Sequence, residues 1–334
     1  ANSPGFAYSG DSQWYIEASA NWFGAIQNIE APRAFIESES LVRLPQVPLW
    51  LSYDNFPNSY PQNWQRYVHQ YAMALFLYYL TDEVNVSPNL LTEGFYVGTT
   101  ELPQEYLFNQ IGASTFRDYF IDWAAHMTND FDFITPEQAA ANELEWDNYA
   151  DPTDDFEYIE IFNEEGTNGW YQPDGDSTTN AWSFNTYKLE NPIDALYTFE
   201  INGEEQGTYG DTAYFQAKVL VKNSAGEATF YDVPMNNDWN GSLSLNLITS
   251  DTNVYFIVAS MPEVFEDSNA DFQRFPYEIR ISNTVLGIAG FENEDSEKIE
   301  IGRYNIIGQK INKNTSGLQI ILYSDGTNKK IYKQ

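Results

Sequence analysis

Apolar positions along the first 150 residues recur at helical spacing. In QWYIEASANWFGA, Trp14, Ala18, Asn21 and Trp22 return every three to four residues, which predicts a helix capped by Asp11 or Ser12. After Pro61, the positions Trp64, Tyr67, Val68, Tyr71, Ala72, Leu75 and Tyr79 share one broad face. Phe116, Tyr119, Phe120, Trp123 and Met127 mark another helix that begins near Ser114. TPEQAAANELEW then opens with Thr135 as N-cap, Pro136 at the first helical position and Gln138 closing a capping box. Between the first two helices, RLPQVPLWLSYDNFPNSYPQNW predicts an ordered loop, because its tryptophans and tyrosines need burial.

From about residue 151 the period shortens. FEYIEIF, LYTFEI, AYFQAKVLVK, ATFYDV, LSLNLI, VYFIVAS and YEIRIS are short runs of β-branched and aromatic residues. Polar turns such as NSAGEA and NNDWNGS separate them, and this spacing predicts an antiparallel β-sandwich. Three further strand signals, EIGRYNIIGQKI, LQIILYSDG and KKIYK, follow the acidic segment GFENEDSE. The predicted class is α+β and multidomain: helical over 1–150, a β-sandwich over 151–284, a linker over 285–295 and a small β-sandwich module over 296–334.

Charge sharpens the last boundary. Residues 296–334 carry seven basic and three acidic side chains, a net +4, against −37 for the rest of a chain whose total is −33. Such acidity excludes a nucleic-acid footprint and docking on anionic lipid. It fits solubility in a salty extracellular medium, or calcium held by acidic loops. With no cysteine, disulfides, thiolate zinc sites and cysteine nucleophiles are excluded. No apolar run reaches membrane-spanning length; YAMALFLYYL suits a core helix. The chain begins at Ala1 without a methionine or a signal-peptide core, the expectation for a processed chain or a piece of a longer one.

The tail carries a resemblance. YNIIGQKI, then SGLQIILYSDGTNKKIYK, is similar to the C-terminal sorting domain of proteins exported by the bacterial type IX secretion system. Tyr304, Asn305, Gly308, Gln309, Gly317, Asp325, Gly326, Lys329 and Lys330 match that pattern over about 39 residues. The resemblance implies export to the extracellular space or outer-membrane surface of a Gram-negative bacterium. It implies recognition by the translocon and its shuttle protein, with later cleavage or anchoring.

Glu17 raises a separate question, since a buried carboxylate costs several kcal/mol unless paired or metal-bound. It can face solvent, pair with Arg33 or Arg66, or ligate a metal. The Trp14-x-x-Glu17-x-x-Ala20 pattern resembles the third-ligand helix of gluzincin zinc metallopeptidases, which implies a zinc-ligand role for Glu17. Neither histidine, His69 nor His126, lies in the His-Glu-x-x-His sequence that such enzymes place just before this helix. The resemblance therefore covers the part of the domain after that helix. One carboxylate cannot hold catalytic zinc, so this chain alone is not expected to be an active peptidase; zinc belongs to the full-length protein. WQRYVHQYAMALFLYYLTD and STFRDYFIDWAAHMTNDFDF look like downstream helices of secreted bacterial proteins that pair such a domain with a β-sandwich.

Other candidates are weaker. Asp151, Asp154 and Asp155 can bind calcium in an irregular loop or be solvated; they do not match an EF-hand. Trp170, Tyr171 and Trp182 can stack on sugar rings or serve packing. His69 can contact a ligand or be a hydrogen-bonded structural histidine, and His126 can answer a helix dipole. No phosphate loop or nucleophile elbow is present. Two functions remain: an exported metallopeptidase relative, and a non-catalytic extracellular adhesin or glycan-binding protein that uses its β-sandwich on peptide or glycan.

Overall fold

The computed structural model describes residue 6 and residues 12–28, 40–41, 44–52, 64–140, 159–161, 169–189, 192–265, 273–285, 300–306, 308–323 and 328–333. Helix α1 (Gln13–Gln27) buries Trp14, Tyr15, Ala18, Trp22 and Ala25, one stripe at helical spacing. Ser12 makes no side-chain cap. A distant serine does that work: the Trp14 amide donates to Ser52 Oγ at 3.0 Å, which satisfies one of the helix's orphan donors.

The second predicted helix is broken into α2 (Trp64–Ala72) and α3 (Ala74–Tyr78), followed by a π-helical turn at Tyr79–Glu83. Every residue from Met73 to Leu80 is buried, so this rod runs through the interior instead of showing one amphipathic face. Thr81 Oγ1 bonds back to the carbonyls of Leu77 and Tyr78 and also accepts from Trp22 Nε1 at 3.0 Å. Side-chain competition of this kind accompanies a widened turn. Two short helices follow, α4 (Pro88–Val97) and α5 (Pro103–Ile111), each started by proline. Helix α6 (Ala113–Thr128) buries Phe116, Phe120, Trp123 and Met127 as the pattern predicts. The Thr135–Gln138 capping box forms reciprocally, at 3.1 and 3.2 Å.

The strands are β1 (Ile159–Ile161), β2 (Ser183–Leu189), β3 (Ala195–Gly203), β4 (Phe215–Asn223), β5 (Ala228–Asp232), β6 (Asn240–Leu247), β7 (Asp251–Ser260) and β8 (Tyr277–Val285). They form a five-stranded sheet, β1-β2-β7-β4-β5, and a three-stranded sheet, β6-β3-β8. Pairing is antiparallel except at β1, which runs parallel to β2 and departs from the all-antiparallel expectation. Phe199 meets Phe256, and Phe215 meets Tyr277, between the sheets. Tyr187 and Tyr277 share a hydroxyl contact at 2.5 Å, with Asn185 Nδ2 donating to Tyr277, so these polar groups trapped in the sandwich satisfy one another.

The five-stranded sheet is covered on both faces. Strand β3 alternates in burial, but β2 is buried continuously from Ser183 to Tyr187. Its second face meets α6: Trp123 packs edge-on against Phe184, and Thr128 bonds Thr186. Helices and both sheets thus share one continuous hydrophobic core. At its centre Trp182 is fully buried and surrounded by the rings of Trp50, Phe108, Phe116, Phe120 and Phe265 at 4.9–6.0 Å. Its backbone is left-handed (φ 54°), held by bonds to Ser260 and Leu49.

The last three strands, β9 (Glu300–Asn305), β10 (Gly317–Tyr323) and β11 (Asn328–Lys333), form a separate antiparallel sheet in the order β11-β10-β9. It contributes no described residue to the shared core. Its interior is partly polar: buried Arg303 makes a two-point contact with Glu300 and donates to Gln319.

Replacing Trp182 by alanine is expected to cost about 3–5 kcal/mol, the usual loss for a fully buried aromatic. Urea denaturation followed by far-UV circular dichroism should show helix and strand signals lost together at a lower midpoint. Separate transitions for helices and strands would contradict the shared core.

Candidate functional site

A cleft of about 690 Å³ opens where α6 crosses β4 and the β5–β6 turn. The crossing is set by a polar ladder. On β4, Gln216 donates to Asp118 at 2.9 Å, Lys218 to Asp122 at 2.6 Å, and Lys222 to Asp130 at 2.5 Å. Alternate strand residues face the helix, and Asp118 and Asp122 are one turn apart on it. Lys218 also pairs with Asp232 on β5 and is only 11% exposed, whereas Asp232 is 82% exposed. Burial pulls the Lys218 ammonium toward a lower pKa, but hydrogen bonds to Asp122 and Asp232 outweigh it and leave the pKa raised. Lys218 is therefore a fixed cation between two carboxylates.

The cleft lining is also aromatic, with Tyr214, Phe215 and Trp239, and Tyr214 is backed by Arg117. The Arg117 guanidinium lies 5.0 Å from the Phe108 ring and 3.8 Å from the Tyr214 ring. Trp239 packs on Tyr214 at 4.7 Å. Arg117 is anchored below by the Met261 carbonyl and by Glu263. Trp239 sits in the β5–β6 turn with a left-handed backbone (φ 58°). Asn236 builds that turn, its Oδ1 accepting from the amides of Asp238 and Asn240 at 2.9 Å. Gly203 admits it: a Cβ there would lie 3.0 Å from Trp239 Cβ and closer still to the Phe215 ring. Sequence reading took NNDWNGS as a turn and missed Asp118, Lys218 and Trp239 as site residues. The available signal was a large aromatic residue inside an otherwise polar turn.

The residues singled out from sequence lie apart. Glu17 is half-buried on α1, where Trp14, Tyr15 and Ala18 hold the core face. His69 is fully buried; its Nδ1 contacts Ser40 Oγ at 2.7 Å and its Nε2 the Pro48 carbonyl at 3.0 Å. The Pro48 carbonyl requires the proton on Nε2, and in the neutral ring Nδ1 then accepts from the Ser40 hydroxyl. Burial pulls its pKa down to about 4, against a small opposing effect from the Pro48 bond. His69 thus ties α2 to Ser40 and to Pro48. His126, in the last turn of α6, bonds Asp132 at 2.6 Å. Among the described residues no group of three His, Asp or Glu side chains is placed to hold a metal ion, and these residues do not fit a zinc site of the gluzincin kind.

Trp182 is the core tryptophan described above and has no face for a ligand. The Trp170 ring is covered by the Arg280 guanidinium at 4.6 Å, itself held two-pronged by Glu200. Tyr171 bridges Ile279 through backbone bonds and packs on Tyr187. Asp151, Asp154, Asp155, Asp325 and Gly326 lie outside the described residues, as do most of the linker and the Arg33 side chain.

In the tail, the Tyr-Asn-x-x-Gly-Gln match is a tight turn. Asn305 Oδ1 accepts from the Gln309 amide at 2.9 Å, the Asn305 amide donates back to the Gln309 carbonyl at 2.9 Å, and Gly308 supplies a φ of 78°. Tyr304 pairs Ile320, Gly317 opens β10, and Lys329 and Lys330 are exposed on β11.

No family model matches the chain, and no curated protein matches it. One solved structure similar to it is the N-terminal endo-1,4-beta-D-xylanase 10B of Clostridium thermocellum, a two-module structure complexed with xylohexaose. It is 10% identical, with 33% of this chain and 21% of that chain covered and a TM-score of 0.20. The chain spans about a fifth of that protein's length, and likeness at this level decides neither fold nor function.

His69 makes stability depend on pH. An unfolded histidine takes a proton below pH about 6.5, but the folded one resists until about 4. Stability is thus full above 6.5 and falls as pH drops toward 4. Between pH 7.5 and 5 the loss from this group is about 2 kcal/mol. His69→Gln should lower stability at pH 7.5 yet show a pH dependence shallower by that amount in urea titrations. Equal slopes for the two proteins would refute the buried neutral ring.

Proposed function

We propose that the chain is a cargo protein of the type IX secretion system, delivered to the cell surface or the extracellular medium, with a non-catalytic binding body. The observation that carries the export reading is the C-terminal sheet. It stands outside the core shared by helices and sandwich, and it is positive where the rest of the chain is strongly negative. A receptor can distinguish such a module from its passenger by its field alone. The tight turn at Asn305–Gln309 gives the matched motif a structural reason: its Asn and Gly make the turn geometry, and its lysines stay in solvent. The partners on this reading are the translocon and its shuttle protein.

For the body, binding is favoured over peptidase chemistry. His69 spends both ring nitrogens on protein partners, and Glu17 lies on the flank of its helix. The cleft beside α6 is instead an open, rigidly walled recess with aromatic and hydrogen-bonding sides. Its ligand on this reading is an extracellular peptide or glycan.

Removing residues 296–334 in a host that carries the translocon should retain the protein inside the cell, with the thermal unfolding of the remaining body unchanged. Normal surface delivery of the truncated chain would sink the export reading. The peptidase alternative makes a different demand: stoichiometric zinc and casein cleavage by the full-length gene product.

A further inference from the structure

The cleft's construction narrows what it can take. Trp239 occupies a backbone region that is unfavourable for a bulky side chain, at a cost of about 1–3 kcal/mol. Four contacts hold it there: the Asn236 turn, the Gly203 amide bond to its carbonyl, the bare Gly203 Cα and the Tyr214 ring. Beneath Tyr214 the stack continues through Arg117 to Phe108 in the core. A half-buried indole on such a column loses almost no freedom when a ligand lies against it.

Lining the same cleft as the indole are groups that bind hydroxyls. Asp118 and Asp232 are exposed carboxylates on either side of the cleft, and Lys218 lies between Asp122 and Asp232. Gln216 gives its amide hydrogens to Asp118, while its Oε1 is buried without a partner on the cleft wall. A cleft that combines an indole with carboxylate and amide acceptors and one ammonium matches a ring with C–H groups on its face and hydroxyls around its rim.

We propose that this cleft is a saccharide site in which Trp239 stacks on a neutral pyranose chain and Asp118, Lys218 and Asp232 hold its hydroxyls. This rests on the reading of the body as a binding module, and it is independent of export. Charge selects the ligand further. Three carboxylates and one ammonium line the cleft of a chain at −33, so anionic sugars are repelled. A basic peptide is disfavoured because Lys218 already occupies the place its cation would take between Asp122 and Asp232.

The test uses the full chain, with cellohexaose, mannohexaose, oligogalacturonate and hexalysine titrated by tryptophan fluorescence and calorimetry. At least one neutral hexasaccharide should bind and oligogalacturonate should not. Trp239→Ala and Asp118→Ala should each weaken binding about tenfold or more, and Trp170→Ala should leave it unchanged. Asp118→Ala changes an exposed helix position, so it decides the matter if the Trp239 variant folds poorly. No binding to either neutral sugar, binding indifferent to both cleft variants, or binding of hexalysine instead would overturn the proposal. Any of these results would leave the export reading standing.

Discussion

One fully buried indole joins the layers of this protein. Trp182 immediately precedes strand β2 and is ringed by aromatic side chains from the loop at Trp50, from α5 and α6, and from Phe265 after β7. Its Nε1 has no hydrogen-bond partner, so it contributes through apolar area and ring contact. Its left-handed backbone is the strained element that this packing holds in place. Because those rings come from both halves of the chain, the helices cannot settle without the sheet. The five-stranded sheet in turn cannot cover its outer face without the helices.

That coverage places the cleft. Helix α6 lies over β4 with apolar residues inward and carboxylates along its edge, and the strand answers with Gln216, Lys218 and Lys222. The ladder fixes the helix where the β5–β6 turn overhangs it. The recess between them follows from packing a cylinder on a twisted sheet. Arg117 ties the two walls together, since it stacks on Tyr214 while bonding the Met261 carbonyl at the end of β7.

The C-terminal sheet follows another rule. It is too small to bury much apolar surface, and its interior relies on Arg303, Glu300 and Gln319 satisfying one another. Arg303 and Gln319 are buried, but the outward face keeps Leu318 and Tyr332 in solvent beside exposed lysines. Its lack of described residues in the main core and its opposite charge are separate properties, and the segment combines both.

Local pattern was legible. The 3.6-residue period at Trp14–Trp22 and Phe116–Met127, the Thr135–Gln138 box and the alternation in β3 are local effects of backbone geometry and burial on one face. The charge break before the tail needs only a count. Helices α4 and α5 were not legible because they are short, at 10 and 9 residues, so an apolar period has fewer than three turns in which to show. The roles of individual aromatic and ionisable residues were also hidden. Trp182 and Trp239 look alike in a string, yet one is the centre of the core and the other faces a cleft. The sequence leaves His69 as either a ligand contact or a structural histidine, and only the fold brings Ser40 and Pro48 to its two ring nitrogens. The amino-acid sequence by itself determined the elements, the acidic body and the basic tail, because those depend on neighbours along the chain. Only the tertiary structure decided which side chains meet, because Asp118 and Lys218 are a hundred positions apart and come together only when α6 lies down on β4.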